Sequence, residues 1–203
     1  MKIHTYPLGE LQANCYLLEN DGEALIIDPA DDANFLLEEV QRKNISLKAL
    51  FATHGHFDHV MAAGEIQLSF DTPFYIHKKD LFLIDRLEST AEHFLGHKEV
   101  IIPPKNITNI IFKTIHVTRF AINVIETPGH TPGGVCYYFP EEQALFTGDT
   151  LFAEAVGRTD LSYCSKKDLW VSLRKILALP EETTIFPGHG DSSYIAQEKT
   201  ILG

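Results

Sequence analysis

Four apolar runs in this sequence end the same way, with glycine beside histidine or aspartate: "LFATHGHFDH", "VIETPGH", "ALFTGDT" and "TIFPGHG". A short apolar run that stops at a turn signal reads as a buried strand. A fold that accepts this chain must therefore bring four strand ends, each carrying polar chemistry, to one place. Glycine at each end lets the backbone turn tightly and approach such a site closely.

The first end is the densest. His54 and His56 lie two apart, and in extended backbone such side chains point to the same side, so two imidazoles can grip one ion. Asp58 and His59 are adjacent, so a turn or the start of a helix must aim them elsewhere, toward a second ion. The later ends add His130, Asp149 and His189. One ion would take His54, His56 and His130, the other Asp58, His59 and His189, with Asp149 bridging and a water shared. With nitrogen and carboxylate oxygen as donors and no cysteine among them, zinc, iron and manganese are all chemically reasonable, zinc being the first expectation. Two ions about 3.5 to 4 Å apart can bring the pKa of water down to about 7, giving a hydroxide nucleophile held beside Asp58 and Asp149. No G-x-S-x-G elbow, Walker loop or H-E-x-x-H helix offers a rival chemistry. The isolated His4, His77, His93, His97 and His116 read as solvated or hydrogen-bonded residues.

Hydrophobic content of 44% and charged content of 22% over 203 residues are those of a globular chain, expected as one domain over residues 1–203. The net charge of −11 opposes binding to phosphate backbones, so no nucleic-acid partner is expected. No membrane partner is expected either, because no run of about 18 apolar residues could span a bilayer. The N-terminus lacks a signal-peptide core and Cys15, Cys136 and Cys164 form no C-x-x-C pair, which together suggest a cytoplasmic protein.

Periodicity predicts three strands in "KIHTYPLG", "NCYLLEN" and "EALIIDPA", a helix in "DDANFLLEEVQRKN", and a strand "LKALFAT" leading into the histidine cluster. A helix "VMAAGEIQLSF" and a strand "PFYIH" follow, then one or two helices from Lys78 to about Leu95. The strands "AINVIETPG", "GVCYYFP" and "QALFTGD" come next. A helix "SKKDLWVSLRKILALP", a strand "TTIFPG" and a last helix "SYIAQEKTIL" complete the chain.

The ordered set "THGHFDH", "TPGHTPGG", "FTGDT" and "FPGHG" resembles the metallo-β-lactamase superfamily, over most of the chain from "LIIDPA" to "FPGHG". The resemblance implies an α/β (α+β) fold, the four-layer αββα sandwich, with a dinuclear site at one edge between the sheets. It also implies that Asp28 supports loops near the site without binding metal. Antibiotic hydrolysis is not expected, because true metallo-β-lactamases generally lack the aspartate bridge that Asp149 would provide. RNA-processing members are usually longer.

"TGDTLF", "VGRTDL" and "PGHG" are most similar to the glyoxalase II (hydroxyacylglutathione hydrolase) group, in its short single-domain form. That likeness implies hydrolysis of a thioester such as a hydroxyacylglutathione. Full-length members hold glutathione with a C-terminal helical domain, whereas fourteen residues follow His189 here. Arg158 is a candidate for an anionic substrate group, or for pairing with Asp160. The segment 78–98, expected to be helical near the active site, offers Lys78, Lys79, Arg86, His93 and Lys98 either to substrate or to solvent. The alternative reading is a persulfide dioxygenase with one iron on His54, His130 and Asp149. A lactone or other ester hydrolase and a non-catalytic metal-binding module are lesser alternatives.

Overall fold

The computed structural model describes residues 1–202. The first sheet holds β1 (Lys2–Leu8), β2 (Ala13–Asn20), β3 (Glu23–Ile27), β4 (Ser46–Phe51), β5 (Phe74–Ile76) and β6 (Ile107–Asn109), in chain order. The second is built from β7 (Thr114–Val117), β8 (Phe120–Glu126), β9 (Val135–Phe139) and β10 (Ala144–Gly148). A small hairpin of β11 (Leu151–Phe152) and β12 (Ala155–Val156) leads off it, and β13 (Thr184–Pro187) and β14 (Ser193–Tyr194) complete it, in the order β14-β13-β10-β9-β8-β7. The helices are α1 (Ala33–Arg42), α2 (Ala63–Ser69), α3 (Leu81–Ile84), α4 (Leu87–Leu95), α5 (Lys166–Ile176) and α6 (Ile195–Leu202).

Period-2 alternation sorts the side chains into three apolar layers. On β2, Tyr16 and Leu18 face the second sheet, where they join Phe120, Ile122, Tyr137 and Phe146. Their neighbours Cys15 and Leu17 face the other way, into a layer with Leu36 and Val40 of α1 and Ile66 of α2. On β9, Tyr137 and Phe139 point between the sheets, while Cys136 and Tyr138 meet Leu169, Leu173 and Ile176 of α5. The result is helix, sheet, sheet, helix. Each fully buried aliphatic or aromatic side chain contributes about 1.5–3 kcal/mol by leaving water. All three cysteines are free, Cys15 and Cys136 within these layers.

Local signals set the helix ends. Asp32 caps α1 by accepting from Phe35 N at 3.2 Å, and Ser165 caps α5 by accepting from Asp168 N at 3.2 Å. α4 stops at Gly96, whose φ of 80° is left-handed. The expected last helix is shorter than its sequence signal. Ser193 and Tyr194 pair with β13, and Ile195 N bonds to Thr183 O, so the sheet takes the backbone groups that a helix would have used. The expected fifth helix also ends early, at Ile176, ahead of Pro180. Strands β6, β7, β11, β12 and β14 were not expected.

Gly64 lies on the face of α2 that packs against the segment after α4. A Cβ there would stand 1.9 Å from Ile102 O. Glycine to alanine inside a helix ordinarily gains about 1 kcal/mol. Gly64→Ala is instead expected to destabilise by about 1–3 kcal/mol, as overpacking does, and to lower the urea midpoint. A raised midpoint would contradict this packing.

Candidate metal centre

β4, β8, β10 and β13 all deliver their C-terminal ends to one edge of the sandwich. Hydrogen bonds between layers fix that edge. Val135 N donates to Thr53 O at 2.8 Å, and the Tyr137 hydroxyl donates to Ala52 O at 2.6 Å. The start of β2 reaches across to the β13 loop, where Asn14 N donates to Gly188 O at 2.7 Å and Asn14 Nδ2 to Gly190 O at 2.9 Å. These bonds place His189 beside the other ends.

The seven expected residues fall into two groups: His54, His56, His130 and Asp149, and then Asp58, His59 and His189. In the first, His54 Nε2 and His130 Nε2 each lie 3.0 Å from His56 Nδ1, and Asp149 Oδ2 lies 3.4 Å from His130 Nε2. In the second, Asp58 Oδ2 is 3.6 Å from His59 Nε2 and 3.3 Å from His189 Nε2. The other oxygen of Asp149, Oδ1, faces this group, at 3.4 Å from His59 Nε2 and 3.8 Å from His189 Nε2. The short turn Phe57–His59 is what aims Asp58 and His59 away from the His54 group.

The outer nitrogens of the histidines decide what the inner ones can do. His130 Nδ1 donates to Arg158 O at 3.0 Å, His189 Nδ1 to Leu11 O at 3.1 Å and His59 Nδ1 to Asp28 Oδ2 at 3.0 Å. His54 Nδ1 lies 3.1 Å from Thr53 Oγ1, whose own hydrogen is given to Asp28 Oδ2 at 2.8 Å, so the hydroxyl accepts. A neutral imidazole carries one N–H, so these four rings present Nε2 lone pairs inward. The fifth, His56, meets the Tyr163 hydroxyl at 2.7 Å through Nε2 and faces the cluster with Nδ1. Inward lone pairs and carboxylates repel unless positive charge lies among them. His59 Nε2 and Asp149 Oδ1 are buried and have no hydrogen-bond partner among the described residues. This donor set fits a pair of divalent cations.

The protonation of the metal-free site follows the same logic. Burial, with neighbouring imidazoles, pushes His54 well below its ordinary value and His56 down to about 3. Burial also opposes charge on His59 and His189, but the carboxylates of Asp58 and Asp149 outweigh it and raise both. Asp149 stays ionised despite burial, because His59 and the other imidazoles hold its pKa well down. The His59 proton therefore stabilises the metal-free fold below pH 6.5, and that contribution is lost as pH rises through the raised value. At pH 7 a divalent cation bound among these groups would have to displace it. Calorimetric titration in buffers of differing ionisation enthalpy is expected to report release of about one proton per chain or more. A buffer-independent enthalpy would contradict this arrangement.

Beside the cluster lies a cleft of about 260 Å³, whose wall beyond the ligands is mainly apolar: Leu11, Phe57, Phe94 and Leu161, with Thr90 and Arg158. Arg158 Nε and Nη2 are engaged by Asp160, at 2.7 Å each. Segment 78–98 supplies Thr90 and Phe94 to this wall. Lys78, Lys79, Arg86, His93 and Lys98 are not part of it. Asp28 accepts from Thr53 N at 2.7 Å and from His59 Nδ1, and stands behind the two donor groups rather than among them. Sequence reasoning missed Tyr163, Thr53 and Asp80, which carry no motif of their own.

The metallo-beta-lactamase superfamily pattern matches residues 8–189. The chain belongs to the metallo-β-lactamase superfamily. Among curated superfamily relatives, hydroxyacylglutathione hydrolase GloC of Haemophilus influenzae is 34% identical, over 98% of this chain and 95% of its own. Among solved structures, BLEG-1 B3 metallo-beta-lactamase is 35% identical, with a TM-score of 0.92 and complete coverage of both chains. TTHA1623 in a di-iron-bound form is also 35% identical, with a TM-score of 0.90 and 98% coverage of each. The superfamily's two-sheet sandwich flanked by helices is the architecture found here, as the sequence resemblance implied. Among the described residues no helix is long and apolar enough to cross a membrane.

Proposed function

We propose that this chain is a cytoplasmic zinc-dependent thioester hydrolase acting on a small hydroxyacyl thioester such as a hydroxyacylglutathione. The observation that carries the reading is Asp149, whose two oxygens face two separate donor groups at the mouth of one cleft. His54, His56 and His130 would hold one ion and Asp58, His59 and His189 the other, with Asp149 shared. Ions so held would supply Lewis acidity, polarising a carbonyl and acidifying water to a pKa of about 7.

The chain's own residues do the rest. Asp149 and Asp58, besides holding the ions, keep further carboxylate lone pairs that would accept hydrogen bonds from the attacking water and orient it. Leu11, Phe57, Phe94 and Leu161 exclude bulk water from the acyl group. Arg158, although shared with Asp160, lines the cleft and would meet an anionic substrate end. Among the described residues no lysine or tyrosine lines the cleft, and the Tyr163 hydroxyl is engaged with His56, so no spare general acid stands ready. A thiol of pKa about 8.5 leaves without one, whereas an amine needs a proton. That difference favours a thioester over the β-lactam amide in the name of BLEG-1, and the GloC relative supports a glutathione conjugate.

The test is hydrolysis of S-lactoylglutathione by zinc-loaded and metal-stripped protein, beside a chromogenic cephalosporin and oxygen uptake with glutathione persulfide. Rapid, metal-dependent thioester turnover is expected. Faster cephalosporin hydrolysis would reject the substrate class, and oxygen uptake by protein holding one iron would reject the reaction class.

A further inference from the structure

Asp80 is completely buried, and its carboxylate is spent on two ligand loops. Its Oδ2 accepts from Gly55 N at 3.1 Å and from the Thr131 hydroxyl at 2.6 Å, and its Oδ1 accepts from Gly133 N at 2.6 Å. Gly55 sits between His54 and His56, and Thr131 follows His130. The one carboxylate therefore joins the backbone of the first and second strand-end motifs from beneath, across a gap of more than seventy residues in sequence.

The motif glycines match this role. A Cβ on Gly133 would lie 2.6 Å from Asp80 Oδ1, and one on Gly55 would lie 2.9 Å from Asp80 O. Both positions need glycine because Asp80 occupies the space a side chain would fill. None of its three hydrogen bonds reaches Asp58, His59, Asp149 or His189. His59 and His189 are held from outside by Asp28 and the Leu11 carbonyl instead.

We infer that Asp80 is a positioning residue for one ion only, clamping the two loops that present His54, His56 and His130. This rests on the ligand assignment above but not on the thioester substrate. Partners that orient ligands from outside typically contribute about 10- to 100-fold to metal affinity. In Asp80→Asn, an amide NH₂ replaces one acceptor oxygen, so either Gly55 N–H or Gly133 N–H faces a donor. Gly133→Ala should act alike, because the new methyl displaces the same carboxylate.

The experiment titrates metal-free protein with zinc against a chromogenic chelator. The parent is expected to show two binding events, and His130→Ala identifies which belongs to the three-histidine group. In Asp80→Asn and Gly133→Ala that event should weaken about 10- to 100-fold while the other stays parental. Tyr6→Phe, which removes the hydrogen bond to Glu39 away from the ligand loops, should leave both events unchanged. Equal weakening of both events would overturn the inference, as would parental binding in Asp80→Asn with only a lowered melting temperature. A parent that takes up fewer than two ions overturns the ligand assignment itself.

Discussion

Asp149→Asn is expected to take up fewer than two metal ions per chain and to lose turnover with them. The substitution is nearly isosteric, so the loss reports chemistry rather than packing. One anionic oxygen becomes an NH₂ donor, and whichever group it faces, the His130 side or the His59 and His189 side, loses a ligand atom. Loss of an outer partner costs about 10- to 100-fold in metal affinity or activity, and loss of a shared ligand should exceed that range in kcat/KM. Metal analysis alongside kcat checks it. Parental kcat with parental metal content would remove Asp149 from the site.

Asp28→Ala is expected to be the most destabilising single substitution considered, at about 3–5 kcal/mol in the metal-free protein. Asp28 is fully buried and accepts three hydrogen bonds, from Thr53 N, Thr53 Oγ1 and His59 Nδ1. Removing it leaves the raised, charged His59 with one fewer counter-charge and strands a backbone N–H. Its φ of 50° adds to the cost for alanine, since left-handed backbone suits aspartate and asparagine better than other non-glycine residues. Asp28→Asn tolerates that conformation and should cost less, which separates the lost acceptor from the backbone strain. Urea unfolding measures both, and a shift under about 0.5 kcal/mol for alanine, the size of an ordinary surface change, would contradict the role.

The candidate ligand set was legible because each member is announced locally, by an apolar run, a glycine and a polar residue. The geometry that completes it was not. Tyr163 meets His56 from 107 residues away, and no spacing rule encodes that contact. Segment 78–98 read as helical near the site, with cations offered either to substrate or to solvent. Its helices are present, but its contribution to the cleft is Phe94 and Thr90, and its buried carboxylate serves the loops beneath. Strands such as Ile107–Asn109 and Ala155–Val156 are too short to show a period, and only their partners define them. The long strands were plain because β8 alternates buried and more exposed positions, while β2 and β9 are largely apolar runs buried on both faces.

The most direct test of a shared dinuclear centre is stepwise reloading of metal-stripped protein with zinc while S-lactoylglutathione hydrolysis is followed. Activity is expected to rise with zinc until two equivalents per chain are bound and then to level off. Full activity at one equivalent, or turnover without metal, would contradict the account.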